Sequence, residues 1–238
     1  LLTIFTVSEL YWSLPLVSYF SGLLIFIMVI KLPNQKILEN TDDSSLSESI
    51  KYVFKNNSIR PILILGSSLV IWGITQPLIP VYCRDYLNLD GTGYSLMTTT
   101  FFVGNMVGSI ILIIIGKKLA TGKLLSFYIF MYATLSYLFF STTSIIFAAL
   151  CLFASGGFIT IWVANVFNLL QTLPEEKYMG RVVSFFFTMF LLIGIGFIVG
   201  GILGQILGIN LTILISCLVI ICLHLTILLF SKHYRELK

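Results

Sequence analysis

The chain has 238 residues, 58% hydrophobic and only 10% charged, with a formal net charge of +4 and a mean hydropathy of +1.01. A soluble domain is about 45–50% apolar and about 25% charged, so a compact soluble fold is excluded; disorder needs high charge, the 18 Gly follow no triplet period, and four Cys are too sparse for a disulfide scaffold. Unbroken apolar runs of about twenty residues instead indicate an all-α integral membrane protein, since a transmembrane barrel alternates apolar and polar positions over about ten residues.

Seven such runs follow one another, at roughly 11–30, 62–82, 95–116, 124–141, 144–170, 182–207 and 210–230. Each is expected to be a transmembrane helix, because a lipid-embedded backbone must satisfy its own hydrogen bonds. The connecting segments carry their Lys and Arg unevenly. Residues 31–60, 117–123, 171–181 and 231–238 hold thirteen of the 14, and 83–94 holds Arg84 alone. The positive-inside rule puts the thirteen in the cytoplasm and the C-terminus with them. This bias accounts for the net charge without nucleic acid. The sequence opens on Leu1 with no signal-peptide pattern, and seven spans leave the N-terminus outside. Both features lead to the expectation that the sequence starts inside a longer protein.

Pro33–Arg60 is the long polar stretch. Asn40-Thr-Asp-Asp-Ser-Ser45 is turn-like, Ser45 to Glu48 fits a capping box, and Leu46, Ile50, Val53 and Phe54 follow helical spacing. The expectation is a linker with a short amphipathic helix, or an ordinary solvated loop. One span, a long cytoplasmic linker and six closely spaced spans then make up the chain.

Within the spans the polar residues are mostly neutral: Ser67, Ser68, Thr75, Gln76, Asn105, Asn165, Asn168 and Gln205. They need partners, so they are expected to face the bundle or a wet cavity. Asn165 and Asn168 share a helix face, with Trp162 one turn earlier. Trp72, Gln76, Asn105, Trp162, Asn165 and Asn168 are the candidate substrate cavity, suited to a bulky, largely apolar solute; interhelical hydrogen bonding is the competing reading. No Asp, Glu, Lys or Arg lies deep in the last six spans, so no coupling carboxylate is expected there. Arg84, Asp85 and Glu9 read as interfacial, His224 as packing or snorkelling, and Cys83, Cys151, Cys217 and Cys222 as small buried hydrophobes. No metal site, cofactor or P-loop is read.

Gly196, Gly200, Gly204 and Gly208 recur every four residues on one helix face, with Gly104 and Gly108 as a shorter pair. Small residues at this spacing permit close helix approach, as tight packing or as a moving contact. Glu175, Glu176 and Arg181 stand at a cytoplasmic helix start, as an inner gate or a headgroup anchor.

Several segments resemble the major facilitator superfamily, particularly its bacterial drug-export branches. Trp12-Ser-Leu-Pro-Leu-Val-Ser-Tyr-Phe20 through Lys31-Leu-Pro33 resembles its sixth helix, and Ile59-Arg-Pro-Ile62 through Pro77-Leu-Ile-Pro80 its seventh. Leu173-Pro-Glu-Glu-Lys-Tyr-Met-Gly-Arg-Val182, with Ser184, resembles the turn between its tenth and eleventh helices, with one extra residue between Pro174 and Gly180. Gly116-Lys-Lys-Leu-Ala-Thr-Gly122 has the Gly and basic residues of a family gating turn but lacks the Asp. The resemblance implies a partial major facilitator fold: residues 1–32 as the last helix of an N-terminal six-helix half, 33–60 as the central linker, and 61–238 as the C-terminal half. It implies no enzyme but a plasma-membrane secondary transporter, with proton-coupled efflux of small molecules by alternating access and the proton carrier in helices outside this sequence. A complete chain is expected to work as a monomer in the lipid bilayer. Pro174, Glu175, Gly180, Arg181 and the four-residue glycine ladder are the candidate gating and packing residues. The alternatives weighed are a non-transporting membrane sensor or assembly protein, and a membrane-embedded enzyme acting on lipid-linked substrates.

Overall fold

The computed structural model describes residues 19–20, 22–23, 46–116 and 121–237. The chain divides into two compact units, Leu1–Asp43 and Ser44–Lys238. Of the expected first span only Tyr19, Phe20, Gly22 and Leu23 are described, and all four are helical. The capping residue Ser45 and Lys117, Lys118, Leu119 and Ala120 of the basic turn lie outside the described residues.

Every element of the second unit is helical: α1 (Leu46–Lys55), α2 (Ile59–Gly66), α3 (Ser68–Thr75), α4 (Leu78–Asp85), α5 (Gly91–Ile115), α6 (Gly122–Phe139), α7 (Ile145–Thr172), α8 (Glu176–Leu207), α9 (Ile209–Phe230) and α10 (Lys232–Arg235). No strand occurs among the described residues. Five segments of the described residues are long and apolar enough to cross a membrane: Ile59–Asp85, Gly91–Ile114, Ile145–Thr172, Glu176–Leu207 and Ile209–Phe230. The expected crossing at 124–141, α6, is an 18-residue helix containing Lys123, three tyrosines and several hydroxyl side chains, and it is not among those five.

The expected span at 62–82 is three helices, not one. At Ser67 the backbone N–H and the hydroxyl both donate to the Ile64 carbonyl, at 3.0 and 2.6 Å. That shifts the ladder locally to the tighter three-residue spacing and bends the helix. Pro77 and Pro80 have no N–H to give, so Gly73 and Gln76 accept instead from Gln76 and Ile79.

The starts of α5, α6 and α7 are capped by side chains. Asp90 accepts from the Gly93 N–H at 2.8 Å, Thr121 from Leu124 and Ser144 from Phe147. Gly208, with φ +78°, joins α8 to α9. Hydroxyls that would otherwise be stranded in hydrocarbon bond back into their own helix; Thr98, Thr99, Thr100 and Ser109 of α5 each donate to the carbonyl four residues earlier.

Two glycine seams hold the bundle together. On the first, Gly196 and Gly200 of α8 lie against the backbone of α3: a Cβ on Gly196 would strike the Val70 carbonyl, and one on Gly200 the Ile74 carbonyl. Gly73 reciprocates, its added Cβ meeting the Ile193 carbonyl at 2.6 Å. On the second, Gly104 of α5 faces the Phe153 carbonyl of α7, and a Cβ on Gly108 would meet the Gly157 carbonyl at 2.6 Å. Such contacts replace side chains by backbone and allow the closest helix approach.

Candidate functional site

The helices brought together by these seams splay around a half-open cavity of about 540 Å³. Trp72 and Thr75 of α3 line it, with Gln76 at the helix break. Tyr94, Phe101 and Asn105 come from α5, Tyr132 and Ser136 from α6, Ile159, Val163 and Phe167 from α7, and Phe186, Phe187 and Phe190 from α8. None of the described lining residues is charged. Aromatic side chains dominate the wall, and Phe186 is held edge-on to Phe190 at 5.3 Å between centroids. A chamber of this size with a few neutral polar groups has the character of a small-molecule site that binds through apolar burial.

Three of the six expected cavity residues line it: Trp72, Gln76 and Asn105. Trp72 Nε1 and Asn105 Oδ1 are enclosed and have no hydrogen-bond partner among the described residues. The other three are elsewhere. Trp162 is fully buried in the core, and Asn165 is buried with its amide donating to the Ile161 carbonyl of its own helix at 2.8 Å. Asn168 is exposed. The reason is geometric: α7 packs against α5 on one side and α6 on the other, so its cavity-facing strip is Ile159, Thr160, Val163, Ala164 and Phe167. The phenylalanines of α8 were missed. Their signal was the Phe185-Phe-Phe187 run with Phe190, whose ring content exceeds what lipid contact needs.

Of the glycine ladder, Gly196 and Gly200 meet the α3 backbone and Gly204 meets Leu78. Gly208 does not continue it; its positive φ makes it a turn residue, and a Cβ there would meet nothing within 4 Å. The turn of the expected gate is only Leu173, Pro174 and Glu175, since α8 begins at Glu176 and carries Gly180 and Arg181 inside it. Pro174 is buried, Glu175 and Gly180 are exposed, and Arg181 is half-buried.

That turn is clasped by α1. The Glu175 N–H donates to the Tyr52 hydroxyl at 3.0 Å, and the Tyr178 hydroxyl donates to Glu48 at 2.9 Å. Between these bonds the rings of Tyr52 and Tyr178 stack at 4.0 Å and 16°. Val53 is buried beneath, whereas Phe54, expected on the apolar face, is 65% exposed. At the other charged site, Arg84 pairs with its neighbour Asp85 at 2.6 Å, exposed as an interfacial pair would be.

His224 does not snorkel. It is 2% exposed and its Nε2 lies 3.1 Å from the Ser68 hydroxyl oxygen. At the C-terminus, α10 folds back so that Tyr234 is fully buried, its hydroxyl 3.1 Å from that of Ser126. Burial pushes the Tyr234 phenol up, with the Ser126 hydrogen bond opposing.

Among the described residues, an all-helical bundle with five spanning-length segments and a cavity lined by no charged residue defines a multi-pass integral membrane protein. The chain belongs to the Major Facilitator Superfamily, a family of transporters, whose family model matches residues 1–196. No curated protein matches the chain.

Proposed function

We propose that this protein is a secondary active transporter that exports small, bulky, largely apolar molecules across the cell membrane, driven by protons, by alternating access. The observation that carries this reading is the aromatic, uncharged, half-open cavity of about 540 Å³ lined by α3 and α5 to α8. Its wall provides apolar contact over most of a ligand and only a few neutral polar anchors, a combination that holds an uncharged or weakly polar solute without fixing one structure. The glycine seams support a moving contact, because backbone surfaces free of side chains slide past one another with little steric change. Seven spans, with α6 as a crossing, a cytoplasmic linker and C-terminus, and the division at 32 and 60 complete the arrangement. The proton carrier belongs to helices other than the last six, which hold no deep carboxylate.

The test is accumulation of a lipophilic fluorescent dye in everted vesicles carrying the full-length transporter. Proton-gradient-dependent accumulation is expected, abolished by an uncoupler. Trp72→Ala is expected to weaken apparent dye affinity about tenfold, equivalent to about 1.4 kcal/mol of lost contact. Dye movement that ignores the gradient would remove proton coupling, and gradient-driven transport indifferent to Trp72→Ala would remove this cavity as the site.

A further inference from the structure

Trp162 and His224 have a shared defect. Trp162 Nε1 and His224 Nδ1 are both enclosed side-chain atoms without a hydrogen-bond partner among the described residues. Their rings are neighbours, 5.8 Å apart between centroids and inclined at 59°, Trp162 on α7 and His224 on α9. Both side chains are nearly or wholly buried, at 0% and 2% exposure. The second ring nitrogen of His224 is engaged, 3.1 Å from the hydroxyl oxygen of Ser68 on α3, itself 2% exposed. Neither Trp162 nor His224 borders the substrate cavity.

Buried polar groups are almost always satisfied, so two adjacent orphans call for a common partner. The chemistry of the two atoms narrows it. An indole N–H can only donate, so the partner must accept. The imidazole Nδ1, when Nε2 carries the ring proton, can only accept, so the partner must also donate. An anion would satisfy Trp162 and face a bare nitrogen lone pair. A cation would suit that lone pair and face an N–H. A water molecule, which both accepts and donates, meets both requirements.

We infer that Trp162, His224 and Ser68 form a binding site for one enclosed water molecule. The water accepts from Trp162 Nε1 and donates to His224 Nδ1, and His224 Nε2–H donates to Ser68 Oγ. The result is a hydrogen-bonded chain across α7, α9 and α3, in a region where these helices otherwise meet through apolar side chains. It fixes the histidine as a neutral bridge with its proton on Nε2. It also ties α3 to α7 and α9.

The experiment is solid-state NMR on the 238-residue chain in lipid vesicles, with ring-¹⁵N histidine and tryptophan. The exposed His233→Gln substitution leaves His224 as the single histidine. The expected spectrum has one protonated and one bare imidazole nitrogen, with magnetisation passing from water protons to His224 Nδ1 and to the Trp162 indole. Trp162→Phe, which keeps an aromatic ring but removes the donor, is expected to abolish the water transfer to Nδ1. A doubly protonated imidazolium, a proton on Nδ1, or the absence of water transfer to Nδ1 in the Trp162-containing protein would each overturn the site. That protein's spectrum decides even if Trp162→Phe folds poorly, and none of these readouts depends on transport.

Discussion

Close backbone approach makes Gly196 the residue with least freedom to change. A Cβ there has no flexible neighbour to displace, because the obstacle is the Val70 carbonyl of α3. Gly196→Val is therefore expected to destabilise the bundle by about 1–3 kcal/mol, the range for overpacking a tight contact. Gly201→Ala, five positions along the same helix, meets nothing within 4 Å and is expected to stay within about 0.5 kcal/mol. Thermal unfolding in detergent compares the two, and equal losses would show that the seam is not a packing constraint. The four-residue spacing of Gly196, Gly200 and Gly204 was legible in the sequence because one helix face repeats at that interval. Gly208 broke the pattern because the helix ends before it. The misplaced residues of α7 have a different cause. A helix apolar around its whole circumference offers no polar face from which to read orientation. Trp162 and Asn165 could be placed only once the neighbours of α7 on both sides were known.

At the level of elements, two short helices are held by few, specific contacts. Helix α1 rests on the α7–α8 turn through the Tyr52–Tyr178 stack and its two flanking hydrogen bonds. Each exposed hydrogen bond contributes about 0.5–1.5 kcal/mol at most, and an aromatic pair about 0.5–1.5 kcal/mol beyond area. Tyr52→Ala removes the stack and one bond together. Amide exchange across Leu46–Lys55 is expected to accelerate by about tenfold or more, whereas Phe54→Ala, at an exposed position, is expected to leave it unchanged. Similar rates in both variants would mean that α1 is held by something other than the clasp. Helix α10 is held differently, with the Tyr234 carbonyl against Gly122 and its ring sealed in the core. Gly122→Ala would drive a methyl into that carbonyl. It is expected to release the tail, seen as faster proteolytic removal of residues after Ser231. The helical spacing of Leu46, Ile50 and Val53 revealed that α1 exists. Its partner was hidden, because Tyr52 and Tyr178 are 126 positions apart in the sequence and nothing local marks them as a pair. The same holds for the breaks at Ser67 and Pro77. Hydropathy averages across them, and only the hydrogen-bond pattern shows where the ladder changes.

For the molecule as a whole, the decisive element is α6, because whether it crosses sets the sidedness of the helices before it relative to those after it. Its 18 residues extend about 27 Å at 1.5 Å per residue, close to the hydrocarbon thickness of about 30 Å. Its low hydropathy comes from side chains that point inward. Ser126, Tyr128, Tyr132 and Ser136 are buried together with Leu125, Ile129, Ala133 and Phe139. The outward positions include Phe127, Phe130, Tyr137 and Leu138. Helices within a membrane bundle place polar groups against one another and apolar groups toward lipid, and Lys123 in the first turn can reach the headgroups along its aliphatic stem. A window average counts both faces and so understates how well α6 suits lipid. If α6 crosses, the loops before α5 and after α6 lie on the same side. Thr92 in the first turn of α5 and Thr143 in the loop after α6, both exposed, report those two ends, and the exposed His233 samples the C-terminus. In a Cys222→Ser background, Thr92→Cys and Thr143→Cys are expected to react with a membrane-impermeant maleimide from outside the cell, and His233→Cys only after the membrane is opened. Labelling of Thr92→Cys and Thr143→Cys from opposite sides would remove α6 as a crossing and with it the seven-span arrangement. Labelling of His233→Cys in intact cells would instead invert the orientation deduced from the thirteen basic residues.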